Sequence, residues 1–306
     1  MTLPKKVRIR EVGPREGFQS LHGIVTTSDK IKLINALSET GVKDIEAVSM
    51  VRGDRVPQMA DAEEVSNGLV FQNGVRYSAL YLNKKGFERA QNLRGFSNEA
   101  WLLTSGSEEF LKANSNQTWQ EMTDSIPGWV KLFRDHGKKV QGILISTAFG
   151  HGSGRLSSAA LCGVVQTVWD KVKEAGETIS EVALADTIGI ANPSDVKRAI
   201  NAVRERFHGV EISLHLHDTR GSGLANAYAG LEEHITIFDS SVGGIGGCPF
   251  TKGGAGNICT EDFIHLCHSM GIDTGISLQK YCEAAKLAAS IVGQDLPGKM
   301  YKLSEF

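Results

Sequence analysis

Apolar residues recur along this chain in two periods, and the two periods take turns. Short apolar runs that alternate residue by residue read as strands, and stripes at i, i+3, i+4 and i+7 read as helices. The strand pattern falls at 7–12, 44–49, 76–82, 99–104, 140–148, 181–185, 211–217 and 235–241. Helical stripes lie between and after these runs. The first covers about 28–40, with Ile31, Ile34 and Leu37 on one face. Others cover about 84–93, 117–136 and 158–175. Asn192-Pro193 marks a helix start, with an N-cap residue followed by proline at N1. Val196, Ile200, Val203 and Phe207 form its apolar stripe. Two further helices are expected at about 260–270 and 277–291. For the first of these, Thr260 reads as the cap, with Phe263, Leu266 and Cys267 facing inward.

Alternating β and α units imply parallel strands, and eight such units in one chain predict an α/β fold of the (β/α)8 TIM-barrel type. The expected organisation is a single barrel domain over 1–306, with a C-terminal helical extension from about 260 packed on it. A doubly wound open sheet is the competing arrangement. It is disfavoured because no GxGxxG follows the first strand.

Composition changes this picture little. The 306 residues are 41% hydrophobic with a net charge of -2, which is an ordinary globular balance. No Lys/Arg cluster gives an electrostatic footprint for nucleic acid or a membrane surface. The five cysteines, Cys162, Cys248, Cys259, Cys267 and Cys282, are scattered, and none forms a CxxC pair. Free thiols in a reducing compartment are expected, not a disulfide framework. The start, MTLPKKVRIREVG, has no apolar signal core, and no apolar run is long enough to span a bilayer. A cytoplasmic location is therefore expected.

In a barrel of this kind the chemistry sits at the C-terminal strand ends. Leu214-His215-Leu216-His217 places two imidazoles on one face of the seventh strand, where they can close on one divalent cation. Glu16 after strand one and Asn257 after strand eight would complete a nitrogen and oxygen ligand set suited to Mg, Mn, Co or Zn. Such a cation can hold a substrate hydroxyl and lower its pKa. A C–C bond β to a carbonyl then breaks if the enolate is stabilised, and Arg15 is the natural donor for that oxygen. Glu11, Glu46 and Asp186 are acidic residues at strand ends that can orient a ligand, pair with Arg15 or relay a proton. Ser49 and Asn83 close strands two and three, and His22 and His151 lie in loops at the same end. Cys248, inside Gly243-Gly244-Ile245-Gly246-Gly247-Cys248-Pro249, can deliver a proton when its loop closes.

On these residues the chain resembles the 3-hydroxy-3-methylglutaryl-CoA (HMG-CoA) lyase family, TIM-barrel metallolyases. The resemblance runs from about residue 4 to about 290. It is carried by EVGPREG (11–17), DIEAVSM (44–50), VPQMAD (56–61), ADTIGIANP (185–193), LHLHDTRGSGLAN (214–226), DSSVGGIGGCPF (239–250) and GAGNICTED (254–262). It implies that HMG-CoA is cleaved to acetyl-CoA and acetoacetate with Mg²⁺ or Mn²⁺. It also implies metal ligation by His215, His217 and Asn257, enolate stabilisation by Arg15, acid–base work by Cys248, and support from Glu11, Glu46 and Asp186. His215 is a further proton-shuttle candidate. Arg15, Asn83, Ser49 and His22 are the expected substrate-binding residues, with an acyl-CoA thioester as the small-molecule partner and a homodimer as the assembly.

The chain departs from the family pattern at three places. Glu16 stands where the family typically has aspartate, one methylene shorter. His22 lies near the position of a lysine common in the following loop. The segment 149–154 lacks the usual cysteine–proline pair. Length compensation at Glu16 points to citramalyl-CoA as an alternative substrate, which would give pyruvate and acetyl-CoA. Three other classes are a Claisen-condensing synthase, a pyruvate-releasing aldolase, and a barrel that binds acyl-CoA without catalysis. The synthase is disfavoured because those enzymes carry a C-terminal regulatory region, and the Gly-Gly-Cys-Pro loop fits the lyase better than either enzyme.

Overall fold

The computed structural model describes residues 2–152, 154–248 and 251–305, and of 248 and 251–255 it describes the backbone alone. Among the described residues the main sheet has eight strands. They are β1 (Arg8–Glu11), β2 (Asp44–Ser49), β3 (Arg76–Leu80), β4 (Ala100–Thr104), β5 (Val140–Ile145), β6 (Glu181–Asp186), β7 (Glu211–Leu216) and β8 (Ile237–Ser240). All the pairings are parallel, in the cyclic order β3-β2-β1-β8-β7-β6-β5-β4. The return pairing of β1 with β8 is what curls the sheet into the (β/α)8 barrel.

The seam between β3 and β4 is joined by side chains and one backbone bond. Asn98 Oδ1 accepts from the Ala79 amide at 2.7 Å, and the Tyr81 hydroxyl accepts from the Trp101 amide at 2.7 Å. The same hydroxyl donates to the Glu99 carbonyl at 3.0 Å. The Ser97 amide reaches the Tyr77 carbonyl at 2.9 Å.

Residues facing outward from the strands pack against the helices in one continuous apolar layer that includes Ile9, Ile45, Ile143, Val182, Leu214 and Phe238. Asn192 caps the helix Pro193–Arg206 as expected, accepting from the Asp195 amide at 3.0 Å. Val196, Ile200 and Val203 are fully buried. Three helices carry too weak a stripe to be read from the sequence. Ala62–Gly68 and Glu108–Ser115 are short. Gly223–Glu232 is rich in small residues, and Gly230 lies against Leu214 and Phe238, where a side chain would collide. Thr260 is a correction. Cys259 occupies the cap position of Thr260–Ser269, with no side-chain cap bond. The Thr260 hydroxyl instead meets Ser240 Oγ at 2.7 Å and donates to Glu11 at 2.8 Å. A buried carboxylate is a stronger acceptor partner than solvent-facing cap geometry would offer.

Candidate active site

The C-terminal strand ends open into a cavity of about 1970 Å³, and Arg15, Glu16, Glu46, His215, His217 and Asp239 are among its lining residues. Strand period selects them. Arg10, Glu46, His215 and Asp239 occupy inward positions, while Glu11, Leu214, Leu216 and Ser240 face the helices. After β1 the chain makes a π-helical turn, Gly13–Gly17, in which the Glu16 amide returns to the Val12 carbonyl at 2.7 Å. The turn aims two consecutive charged side chains, Arg15 and Glu16, at the barrel mouth. Gly13 is required there, because a Cβ would lie 2.5 Å from Glu11 Oε1.

Four side chains converge on one point. Glu16 Oε1 is 3.1 Å from His217 Nε2, 3.4 Å from His215 Nε2 and 3.1 Å from the Asn257 amide. The two histidine Nε2 atoms are 3.2 Å apart. Asn257 arrives by backbone pairing: the Ile258 amide donates to Leu216 and the Asp218 amide to Gly256, so 256–258 docks on the end of β7. The set fits a hard divalent cation. Ligands on adjacent corners of an octahedron with bonds of about 2.1 Å are about 3.0 Å apart, close to these spacings. Asn257 Oδ1 is buried without a hydrogen-bond partner, and a half-turn of the amide would bring that oxygen to the same point.

Burial opposes charge on His215, but Glu16 and Asp239 outweigh it and push the imidazole up to about 10. Burial likewise opposes ionisation of Glu16, yet His215 and Arg15 hold its carboxyl well below the usual range. Arg15 lies between two carboxylates. Its Nη2 is 2.9 Å from Glu16 Oε2, and its Nε donates to Glu46. Burial raises the Glu46 carboxyl, against the pull of Arg15.

The other candidates lie outside the donor cluster. Glu11 faces outward and its oxygens accept from Gly13, Val242, Thr260 and Tyr281, so it ties β1 to the C-terminal helices. Asp186 also leaves the cavity: it accepts from the Ile190 and Ala191 amides at 3.0 and 2.9 Å and shapes the loop after β6. Ser49 is fully buried away from the cavity lining. Asn83 lines the mouth, but its Oδ1 caps the next helix through the Gly86 amide. His22 lines the mouth and is exposed. His151 pairs with Glu109 at 3.4 Å from a two-residue strand outside the donor cluster. The Cys248 side chain lies outside the described residues. Its backbone pairs with Thr251 in a short antiparallel ribbon.

Asp239 was absent from the sequence-based candidates. Its Oδ2 is 3.1 Å from His215 Nδ1. The signal was present: in Ile237-Phe238-Asp239 an acidic residue interrupts an apolar strand on the inward face.

Beside the site, Glu261 is fully buried and receives the Gly243 amide at 3.0 Å. Burial pushes its carboxyl up to about 8. The folded protein therefore keeps a proton that the unfolded chain releases between about pH 4.5 and 8. The unfolding free energy should fall as pH rises through that window. Urea titrations at several pH values should show this slope in the parent and a flatter one in Glu261→Gln.

Among the described residues no helix is long and apolar enough to cross a membrane. A family model described as HMGL-like matches residues 6–288. Hydroxymethylglutaryl-CoA lyase YngG of Bacillus subtilis is 38% identical over 302 residues, covering 98% of this chain and 97% of that protein. The crystal structure of the Bacillus subtilis HMG-CoA lyase superposes with a TM-score of 0.90 at 37% identity, covering 99% of each chain. An HMG-CoA lyase from Acinetobacter baumannii, solved in complex with coenzyme A and 3-methylmalate, gives a TM-score of 0.88 at 33% identity over 100% of this chain and 97% of that one.

Proposed function

We infer the reaction from one premise: the chain belongs to the HMGL-like family and is an enzyme of the HMG-CoA lyase type. The substrate proposed is HMG-CoA, cleaved to acetyl-CoA and acetoacetate with Mg²⁺ or Mn²⁺. The observation that carries this reading is the convergence of Glu16, His215, His217 and Asn257 beside the Arg15 guanidinium. Bound by those four residues, the cation would supply Lewis acidity toward the 3-hydroxyl and hold it for ionisation.

The chain's own groups supply the rest. Of the three acidic candidates only Glu46 lines the cavity, and it is the proposed acceptor of the 3-hydroxyl proton. As the C2–C3 bond breaks, its electron pair passes into the thioester enolate. Arg15 is placed to donate N–H bonds to that oxygen as charge develops. Cys248 is the proposed donor to the enolate carbon, completing acetyl-CoA. Both nitrogens of His215 are engaged, one by Asp239 and one in the donor cluster. That supports a ligand role for His215 over a proton shuttle. The relative from Acinetobacter baumannii was solved with coenzyme A, and a cavity of about 1970 Å³ leaves room beyond the donor cluster for a thioester arm. A homodimer is proposed on the resemblance, and a cytoplasmic setting on the scattered free cysteines and the start without an apolar signal core.

Citramalyl-CoA remains the second reading, favoured by Glu16. Its longer side chain reaches the donor cluster with one oxygen while the other contacts Arg15 at 2.9 Å. Acetyl-CoA release from both thioesters, with Mg²⁺ or Mn²⁺ and with EDTA, decides. Metal-dependent release from HMG-CoA is the expected result. Release from citramalyl-CoA alone would make Glu16 a substrate-selecting residue, and silence with both in metal-loaded protein would end both readings.

A further inference from the structure

We propose that Arg10 is a positioning residue for the metal site, acting through Asp239 on His215. The inference rests on the metal-site reading above. Three inward residues of adjacent strands stand in line. Arg10 of β1 is the register partner of Asp239 of β8, and Asp239 is the register partner of His215 of β7. The line runs from the barrel interior to the donor cluster in two hydrogen bonds. Arg10 Nε donates to Asp239 Oδ1 at 2.6 Å, and His215 Nδ1 meets Asp239 Oδ2 at 3.1 Å.

Each link has a physical consequence. A carboxylate facing Nδ1 makes that nitrogen the donor, so the Nε2 lone pair is left for the cation. A carboxylate held at one oxygen can still rotate, and holding the second oxygen removes that freedom. Arg10 is itself fixed. Its Nη1 donates to Glu181 at 2.8 Å and its Nη2 to Ser213 at 2.9 Å. The guanidinium also lies over the Trp101 ring, 5.5 Å from its centroid. A planar fork bonded on every side transmits orientation, which a flexible ammonium does not. With its fork occupied, Arg10 acts on the site through Asp239.

Removing the charge of Arg10 would by itself favour cation binding, so the test keeps the charge and removes the fork. Mn²⁺ binding is titrated by EPR on the purified protein. Arg10→Lys and Asp239→Asn should each weaken it by about tenfold to a hundredfold, the usual effect of losing a partner behind a ligand. The double variant should bind no more weakly than Asp239→Asn alone, because Arg10 works through that carboxylate. A purely structural role for Arg10 would give additive losses. If Arg10→Lys does not fold, Ser213→Ala removes one of the bonds that fix the guanidinium without changing the charge and carries the same comparison. Wild-type affinity in folded variants, or additivity in the double, overturns the inference. Wild-type protein that binds no Mn²⁺ overturns the site reading and this inference with it.

Discussion

His217→Ala is expected to lower the lyase rate by at least about a thousandfold, with a large loss of Mn²⁺ affinity. A bound cation supplies several kcal/mol of charge stabilisation in such reactions, which corresponds to factors of that size. His217 is almost wholly buried, and its Nε2 lies 3.1 and 3.2 Å from the other donors of the cluster. Alanine leaves a gap there that no neighbouring side chain fills. Added Mn²⁺ at high concentration should recover part of the rate, because the loss is in binding. The measurement is kcat against Mn²⁺ concentration, beside a direct titration of the metal. Unchanged metal affinity in His217→Ala would remove this histidine from the site.

Arg15→Met should cost about a hundredfold to a thousandfold in kcat, the range found when a single donor to a developing oxyanion is removed. Here the metal should stay. Arg15 is a cation beside Glu16, at 2.9 Å, so its removal takes positive charge away from the metal position. Mn²⁺ affinity should therefore hold or improve while kcat falls. This separation of rate from binding distinguishes Arg15 from His217. Arg15→Lys should recover little, because one ammonium cannot meet Glu16, Glu46 and a substrate oxygen in the plane of a guanidinium fork. If Arg15→Met weakened Mn²⁺ binding in step with the rate, its role would be to hold Glu16 in place.

The strand alternation of β1, β7 and β8 was legible because one residue in two faces the barrel interior, whatever the rest of the chain does. The same rule sorts the acidic candidates by face. Glu11 and Asp186 sit at strand ends and are acidic, yet they lie on outward positions and serve loop and helix contacts. Applied strictly, period 2 would have separated them from Glu46 and brought in Asp239. Ser49, three residues after Glu46, falls on the opposite parity by the same strict alternation, and it is buried outside the cavity lining; β2 also carries a register shift between Glu46 and Val48. No local pattern marks a bulge of that kind.

By itself the sequence determined the alternation of strands and helices, the barrel class, and the residue types able to bind a divalent cation at the strand ends. These follow from period and composition, which are local. Only the tertiary structure decided which of those residues meet. Glu16 and Asn257 are far apart in the chain and come within 3.1 Å because β8 returns to β1 and the segment 256–258 docks on β7. The Arg10, Asp239 and His215 line likewise depends on the register of three strands. Register is set by the packing of both faces of the sheet at once, and no single stretch of the chain contains that information.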